Sequence, residues 1–451
     1  MGKKTELTTG RWTNKALFHL IWPIMVERLL MVLMGTLDTI MVASLGEAAV
    51  GGVSLVDAIN MVLIDALTAL ATGGAVVCSQ YLGREDTKKA STAAKQLLYI
   101  IFIVSIIIMA ISLGGQSGLL RLIYGNLDME TMKNAEIYFF YMALSFPFLA
   151  IFNGGNSIFR SMGNSRVGMM VLLVSNILDL VGNYVFIYIF HWGVAGAAIS
   201  TLMGRALSTI LIIILLLRSN GKIRIEKLFH LRFDWTIIKS ILRIAIPSGA
   251  EGSMFQIGKL MLARLAATFG TIALAGNAIA TIFIQVGNLP GISIGMAFLP
   301  IVGQCIGAGE KDDADRYTKK LVKANYLIMG AYNLIILLLL PLILPLFGLT
   351  EEATKIAWIC SSIFCAGAIF VWTPAYCLPF ALRAAGDNKY VFTISTVAMW
   401  VFRVGAAYFF AYVFHLDVYS IWIAMVCEWL VRGTGFALRW KSGKWRNMKV
   451  I

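Results

Sequence analysis

The stretch AKQLLYIIFIVSIIIMAISLG, residues 94–114, decides the fold class. Its one charged side chain, Lys95, stands next to the first residue. The rest is apolar and long enough to cross a bilayer, which takes about 20 residues as a helix. A strand of an outer-membrane barrel would instead show about ten residues of alternating polarity. The stretch is therefore predicted to be a transmembrane helix.

The same pattern recurs along all 451 residues, of which 59% are hydrophobic and only 14% charged. Soluble domains carry about 25% charged residues, so an ordinary soluble enzyme is excluded. We predict an all-α integral membrane protein with twelve transmembrane helices in two pseudo-symmetric six-helix bundles. The predicted spans lie near 16–43, 52–82, 94–114, 134–158, 167–190, 194–217, 240–267, 273–306, 321–346, 356–381, 390–413 and 418–438.

The net charge of +14 is distributed as in a membrane protein rather than a nucleic-acid-binding protein. Lysines and arginines are abundant in alternate loops and at both ends, whereas the other loops contain only Arg121, Lys133 and Lys355. Because basic loops stay in the cytoplasm, both termini are predicted to be cytoplasmic. We expect a multi-pass protein of the plasma membrane with no nucleic-acid partner. Residues 1–11 are polar and basic, so no cleavable signal peptide is expected.

The two halves of the chain share one register. Sliding the sequence against itself by 224 residues superposes unusual residue types. Because each half has six spans, an even number, both halves enter the membrane in the same direction. The repeats are therefore predicted to be parallel, as in many transporters. The predicted units are an N-terminal lobe (1–217), a cytoplasmic linker (218–239) and a C-terminal lobe (240–451). The alternative explanation of the match is that the two halves resemble each other only because apolar helices have similar compositions. The superposed pairs include Pro23 with Pro247, Glu27 with Glu251, and Gln80 with Gln304.

Four polar residues of the N-terminal lobe are predicted to meet inside the membrane: Asp38, Asp179, Asn183 and Thr201. Helical rise places them at similar depth in the outer half, and Asp179 and Asn183 lie one turn apart. Ionisable groups in hydrocarbon are costly and usually functional. A buried carboxyl can carry a proton, and oxygen ligands can bind a hard cation. A helix cap or an interhelical hydrogen bond is the structural alternative.

The C-terminal lobe contains a second charged cluster near the midplane: Glu251, Lys259, Arg403 and Glu428. In the 224-residue register Arg403 is the counterpart of Asp179, so the lobes place opposite charges at equivalent sites. Arg403 is predicted to pair with Glu428 or Glu251, either permanently or as a switch that a proton or ion breaks. Lys259 can extend harmlessly toward the membrane surface.

Several stretches resemble the multidrug and toxic compound extrusion family over essentially the whole chain. The sequence DTIMV at 38–42, followed by Leu45 and Gly46, resembles the family's opening signature. GVAGAAIST at 193–201 resembles the start of its sixth helix. RSMGN at 160–164 and RAAGD at 383–387 resemble its paired loops after helices four and ten.

The resemblance implies two lobes that alternate between outward-open and inward-open states during secondary-active export of amphipathic, cationic compounds. Export would be coupled to inward movement of H⁺ or Na⁺ through the site of Asp38, Asp179, Asn183 and Thr201. The family pattern has Asn before Asp on the fifth helix, whereas Asp179 precedes Asn183 here. This departure, with the positive charge of Lys259 and Arg403, leaves the ion and the preference for cations open.

The resulting prediction is a multidrug or organic-cation antiporter that is not an enzyme. It would act as a monomer in membrane lipid, with no cofactor or resident metal beyond its coupling ion. The alternatives are a flippase for a lipid-linked precursor and an exporter of an anionic metabolite. In the predicted cycle, ion loading rearranges the outer half of the first helix, with Pro23 and Gly35 as its hinge.

Overall fold

The computed structural model describes residues 11–125, 128–219, 221–225, 230 and 232–451. Most of the predicted cytoplasmic N-terminus (1–10) and part of the predicted linker (220, 226–229 and 231) lie outside the described residues, as do 126–127.

Seven helices and one π-helical segment form the N-terminal half. Side-chain caps begin three of the helices: Thr13 accepts from the Ala16 N–H, Asp86 from Lys89 and Asp128 from Thr131. A π-helical turn, Tyr184–Ile189, extends the sixth helix directly after Asn183. The helices are α1 (Asn14–Ala43), α2 (Glu47–Gly83), α3 (Thr87–Gly114), α4 (Gln116–Tyr124), α5 (Met129–Ser161), α6 (Arg166–Asn183) and α7 (Gly193–Leu217).

The C-terminal half contains nine helices, some of which are pieces of one span. A π-helical segment, Ala398–Gly405, joins two of them and contains Arg403. The helices are α8 (Trp235–Ala267), α9 (Thr271–Gly287), α10 (Leu289–Gly307), α11 (Lys311–Ile343), α12 (Glu351–Phe370), α13 (Trp372–Ala385), α14 (Asn388–Val397), α15 (Ala406–Val413) and α16 (Tyr419–Lys441).

The prediction of a twelve-helix membrane protein is confirmed. Eleven helices of the described residues are long and apolar enough to cross a bilayer, and α8 completes the set although it carries five charged side chains. Two predicted single spans are each broken in two, at Asn288 and at Val371. Pro290 and Pro374 follow these breaks, and a proline supplies no N–H to the preceding turn.

The two halves contact each other mainly through α2, which meets α8 and α10. Gly73 of α2 leaves room for the Ile241 carbonyl oxygen, which would lie 2.6 Å from a Cβ at that position. Nearby, Asp65 accepts a hydrogen bond of 2.8 Å from Gln256 of α8. At the end of α2, Gln80 donates to the Ala384 carbonyl at 2.8 Å. These contacts run from the middle of α2, at Asp65, to its C-terminal end at Gln80, which is cytoplasmic in the predicted orientation.

Candidate functional site

A polar cavity of about 210 Å³ lies within the N-terminal half, among α1, α2, α5, α6 and α7. Three of the four predicted N-lobe residues line it: Asp38, Asn183 and Thr201. They come from three different helices, so the cavity is formed by packing rather than by one local motif. Its remaining lining residues are Gly35, Thr39, Val42, Val50, Val53, Ser54, Asp57, Tyr138, Met142, Ala197 and Arg205.

Asp38 and Asn183 are in direct contact. The Asn183 Nδ2 donates to Asp38 Oδ1 at 2.8 Å, and Asn183 is 1% exposed. Asn183 is the last residue of α6 before the π-helical turn, and such turns often occur at functional sites. The contact therefore ties the carboxylate of α1 to an irregular point of α6, which forms the fifth membrane span.

Asp179, the fourth predicted residue, is buried beside the cavity and does not line it. Its carbonyl accepts a hydrogen bond of 2.6 Å from Ser200 Oγ, and Gly204 leaves room for its side chain. Within the described residues, Asp179 Oδ1 and Asn183 Oδ1 are buried and accept no hydrogen bond. Buried oxygens without a donor are unusual, and a bound cation or proton would satisfy them.

The cavity also contains three residues that sequence reasoning did not assign to this site: Asp57, Tyr138 and Arg205. Asp57 is a carboxylate within the predicted span 52–82, but its place in this cavity depends on helix packing, which spacing alone does not determine. The Arg205 guanidinium lies within electrostatic range of Asp38, Asp57 and Asp179, and its Nη1 donates to Ser145 Oγ at 2.6 Å. The site thus combines three carboxylates with one fixed cation.

The predicted hinge residues Pro23 and Gly35 lie in one continuous helix, because α1 runs unbroken from Asn14 to Ala43. A Cβ at Gly35 would meet nothing within 4 Å. The Thr36 and Thr39 hydroxyls donate to main-chain carbonyls four residues earlier, at 3.0 and 2.8 Å. Such bonds often accompany helix bending. The space and the local bonding allow α1 to bend here, and the hinge role stays a prediction.

The N-lobe cavity offers a cation several kinds of oxygen ligand. Among the described residues no group of three or more His, Cys, Asp or Glu side chains is arranged to hold a metal ion. A cation in the cavity would therefore depend on carboxylate, amide and hydroxyl oxygens together, the ligands that hard cations accept. A proton needs only one carboxylate.

Five charged residues of the C-terminal half form a continuous buried ion-pair chain. Arg403 Nη1 lies 3.3 Å from Glu428 Oε2, so of the two predicted partners the structure selects Glu428. Glu428 also contacts Arg432 at 3.4 Å, and Arg432 reaches Glu251 at 3.0 Å. Arg383 completes the chain 2.5 Å from Glu251.

Arg383 and Arg432 were missed as partners of Glu251. The resemblance of RAAGD (383–387) to the family's loop after the tenth helix placed Arg383 in a loop, whereas it lies in the last turn of α13. The C-terminal ion-pair chain (Arg383, Glu251, Arg432, Glu428 and Arg403) contains three arginines and two glutamates, so one positive charge is in excess. Lys259 lies 5.1 Å from the centre of the Phe255 ring, which Arg403 also contacts. Lys259 therefore adds a second positive charge to this region.

Each repeat pairs the glutamate of its first helix with an arginine near the end of its fourth span. In the N-terminal half Glu27 pairs with Arg160 and also accepts a hydrogen bond of 3.0 Å from Asn156. In the C-terminal half Glu251 pairs with Arg383. The two sites differ beyond this pair, because Arg432 joins only the second.

The twelve spans and the two buried polar clusters fit a membrane transporter rather than an enzyme, and the family match and the names of the relatives establish that class. The family model described as MatE matches the chain twice, over residues 23–185 and 247–409. The two matches begin 224 residues apart, the interval found in the sequence. The chain belongs to the multidrug and toxic compound extrusion family.

Curated relatives cover nearly the whole chain. It is 27% identical to the uncharacterized transporter YisQ of Bacillus subtilis, over 98% of this chain and 97% of that protein. It is 25% identical to the probable multidrug resistance protein NorM of Thermotoga maritima, over 97% and 94% of the two chains. These relatives are transporters, and several bear multidrug resistance names.

Solved structures share the fold. An outward-facing multidrug resistance transporter of the family aligns with a TM-score of 0.90 at 21% identity, over 96% of this chain and 97% of that one. A transporter of the MOP superfamily from Pyrococcus furiosus aligns at 0.89 with 22% identity and the same coverage. At this identity the likeness establishes the fold alone.

Proposed function

We propose that this transporter is a secondary-active exporter of amphipathic organic cations, working as a monomer in the plasma membrane by antiport with H⁺ or Na⁺. The N-lobe cavity carries the proposal. Asp38 lines it in hydrogen-bond contact with Asn183, and Asp179 Oδ1 and Asn183 Oδ1 accept no hydrogen bond from the described residues. Inward ion movement would load these oxygens.

Arg205 provides a reason for exchange. Its guanidinium is a fixed cation within electrostatic range of all three carboxylates. An incoming proton or sodium ion competes for the same oxygens, so Asp38 can release Asn183 and α1 can move near Gly35. Substrate and ion would then alternate because they depend on the same negative charge.

Contacts between the halves support an alternating-access cycle. The halves meet along α2, where Gln256 contacts Asp65 near the middle of the helix and Gln80 contacts Ala384 near its C-terminal end. In the predicted orientation the Gln80 contact closes the cytoplasmic side. Export then requires this contact to open for loading and to reform for release. The available energy is adequate, since one charge crossing 100 mV supplies about 2.3 kcal/mol.

The experiment is efflux of a fluorescent organic cation from proteoliposomes, with a pH gradient and a Na⁺ gradient imposed separately. Acceleration by one gradient supports the antiport and identifies the ion. Transport of the cation at a rate that neither gradient changes would contradict the antiport.

The second candidate, export of an anionic metabolite, is favoured by one observation. The C-terminal ion-pair chain has an excess positive charge, and the Nε atoms of Arg403 and Arg432 are buried and donate to no described acceptor. In the same vesicles an amphipathic sulfonate dye replaces the cationic one. Gradient-driven transport of the sulfonate alone, lost in Arg403→Gln, would favour this candidate over the first.

A further inference from the structure

A basic groove lies on the predicted cytoplasmic side of the N-terminal half, away from both membrane clusters. It encloses about 590 Å³ between the start of α3 and residues 221–225 of the predicted linker. Lys88 and Lys95 enter it from α3, and Lys222 and Arg224 from the linker. None of these four cations forms an ion pair with a carboxylate of the described residues.

The linker is held in place rather than merely lying nearby. Ile223 and Ile225 are 0% and 4% exposed, so their side chains anchor the segment in the core while the residues between and before them stay outside. The Arg224 N–H donates to Ser91 Oγ at 3.1 Å, and further along Gln96 Nε2 donates to the Arg232 carbonyl at 2.7 Å. The four cations are therefore held together despite their like charge.

The second repeat shows how the same position is neutralised. In the 224-residue register, Lys88 corresponds to Asp312 and Lys222 corresponds to Arg446. Arg446 and Asp312 form an ion pair of 2.8 Å. Ser91 likewise corresponds to Asp315, which pairs with Lys319 at 2.7 Å. Where the C-terminal half has carboxylates, the N-terminal half has a lysine and a hydroxyl.

We propose that the basic groove binds a phosphate-bearing anion, which supplies the negative charge that Asp312 and Asp315 supply in the other repeat. Phosphate oxygens accept hydrogen bonds from lysine, arginine and hydroxyl groups. The site is separate from the proposed export route, so its success or failure is independent of the antiport.

A lipid headgroup and a free phosphate are both sources of this chemistry. The headgroup source is supported by the surroundings, because Phe102 and Ile103, two turns beyond Lys95 in the apolar span of α3, have exposed apolar side chains. Basic residues next to a bilayer attract anionic lipids.

The test uses the delipidated full-length protein in detergent and native mass spectrometry. It is titrated with phosphatidylglycerol, with zwitterionic phosphatidylcholine and, in a third arm, with inorganic phosphate. The groove variant is Lys88→Gln with Lys222→Gln. The matched control is Lys89→Gln with Lys444→Gln, since these lysines carry the same charges and do not line the groove. Thermal unfolding of each variant establishes that it is folded.

The expected result is selective retention of phosphatidylglycerol by the wild type, weakened about tenfold or more in the groove variant and unchanged in the control. Binding of inorganic phosphate with the same dependence on Lys88 and Lys222 would support the site and assign it to a free anion. Equal losses in both variants, or no binding in any arm, would overturn the proposal.

A charge reversal separates a binding role from a structural one. In Lys88→Asp the new carboxylate faces Lys222, as Asp312 faces Arg446, so the protein should lose anion binding without losing thermal stability. Retained binding in this variant would also overturn the proposal.

Discussion

Gln80 and Gln304 stand at equivalent positions of the two repeats, and each donates its side-chain amide to a main-chain carbonyl in the opposite half. Gln80 reaches Ala384 at 2.8 Å and Gln304 reaches Ser161 at 2.8 Å. Each carbonyl lies at the end of the opposite half's fourth span. The two bonds form a reciprocal pair, so both must break together when the halves separate on this side.

Two glycines make this contact possible. A Cβ at Gly83 would lie 2.1 Å from the Gln304 carbonyl oxygen, and one at Gly307 would lie 2.0 Å from that of Gln80. Gly83→Ala with Gly307→Ala should therefore exclude the closed arrangement. Overpacking of this kind costs about 1–3 kcal/mol, which shifts the populations about five- to 150-fold toward a separated state. Spin labels at Lys89 and Lys311 should show a longer distance in the double variant.

Gly330→Ala is the matched control for this experiment. A Cβ there would meet nothing within 4 Å, so the label distance should stay at its wild-type value. If the double alanine variant keeps the wild-type distance distribution, the close contact at Gly83 and Gly307 does not hold the two halves together.

The C-terminal ion-pair chain should behave as a coupled unit. Glu428→Gln removes the carboxylate that Arg403 and Arg432 share. Removing one partner of a buried pair costs about 3–5 kcal/mol, because the remaining charge is left unpaired. Adding Arg403→Gln should recover part of the lost thermal stability, measured as the melting temperature in detergent.

Glu352→Gln, at an exposed position, is the control for the charge change itself and should leave the melting temperature nearly unchanged. Strictly additive losses in the Glu428 and Arg403 double variant would show that these residues are not coupled.

Asp128, outside the membrane spans, should make stability depend on acid pH. It caps α5, and the hydrogen bond from the Thr131 N–H lowers the pKa of its carboxyl below the ordinary value. A carboxyl with a lowered folded pKa stabilises the protein above its unfolded pKa, and that stabilisation is lost as pH falls through the folded pKa. Asp128→Ala should therefore lower the melting temperature at neutral pH.

The difference from wild type should shrink below about pH 4, where the unfolded carboxyl begins to be protonated. Asp128→Asn, which also caps a helix, should retain more stability than alanine at neutral pH. A deficit in the alanine variant that is constant from neutral pH to about pH 3 would contradict the role of the charge.

Much of the fold was predictable because a span is a local property of the sequence. Each apolar run had to be a helix, since backbone groups in hydrocarbon must bond within their own segment. The breaks at Asn288 and Val371 lie just before Pro290 and Pro374, residues that interrupt a helix, but average apolarity does not place a one-residue interruption. The π-helical segment around Arg403 has no signature that composition or periodicity reveals.

The residues of the candidate sites were predictable only where their depth along a helix was enough to bring them together. Similar depth gave Asp38, Asn183 and Thr201, which the structure places in one cavity; their role in coupling stays a prediction. Depth does not determine which way a helix faces. Arg205 and the two arginines around Glu251 depend on how helices far apart in sequence pack against each other, and that packing is not a local property.

The most direct test of the account is gradient-driven efflux by Asp38→Asn in proteoliposomes. Asn keeps the size of the side chain and removes the charge that the proposed ion would load. Asp417→Asn is the matched control, because Asp417 lies between α15 and α16, away from the N-lobe cavity, and its positive φ of 44° suits asparagine. Both variants are first shown to be folded by thermal unfolding.

We predict that Asp38→Asn loses acceleration by whichever gradient drives the wild type, falling by about a hundredfold or to the rate of empty vesicles. Asp417→Asn should transport like the wild type. Efflux by folded Asp38→Asn that responds to the gradient as the wild type does would contradict the proposal that the N-lobe cavity couples ion entry to export.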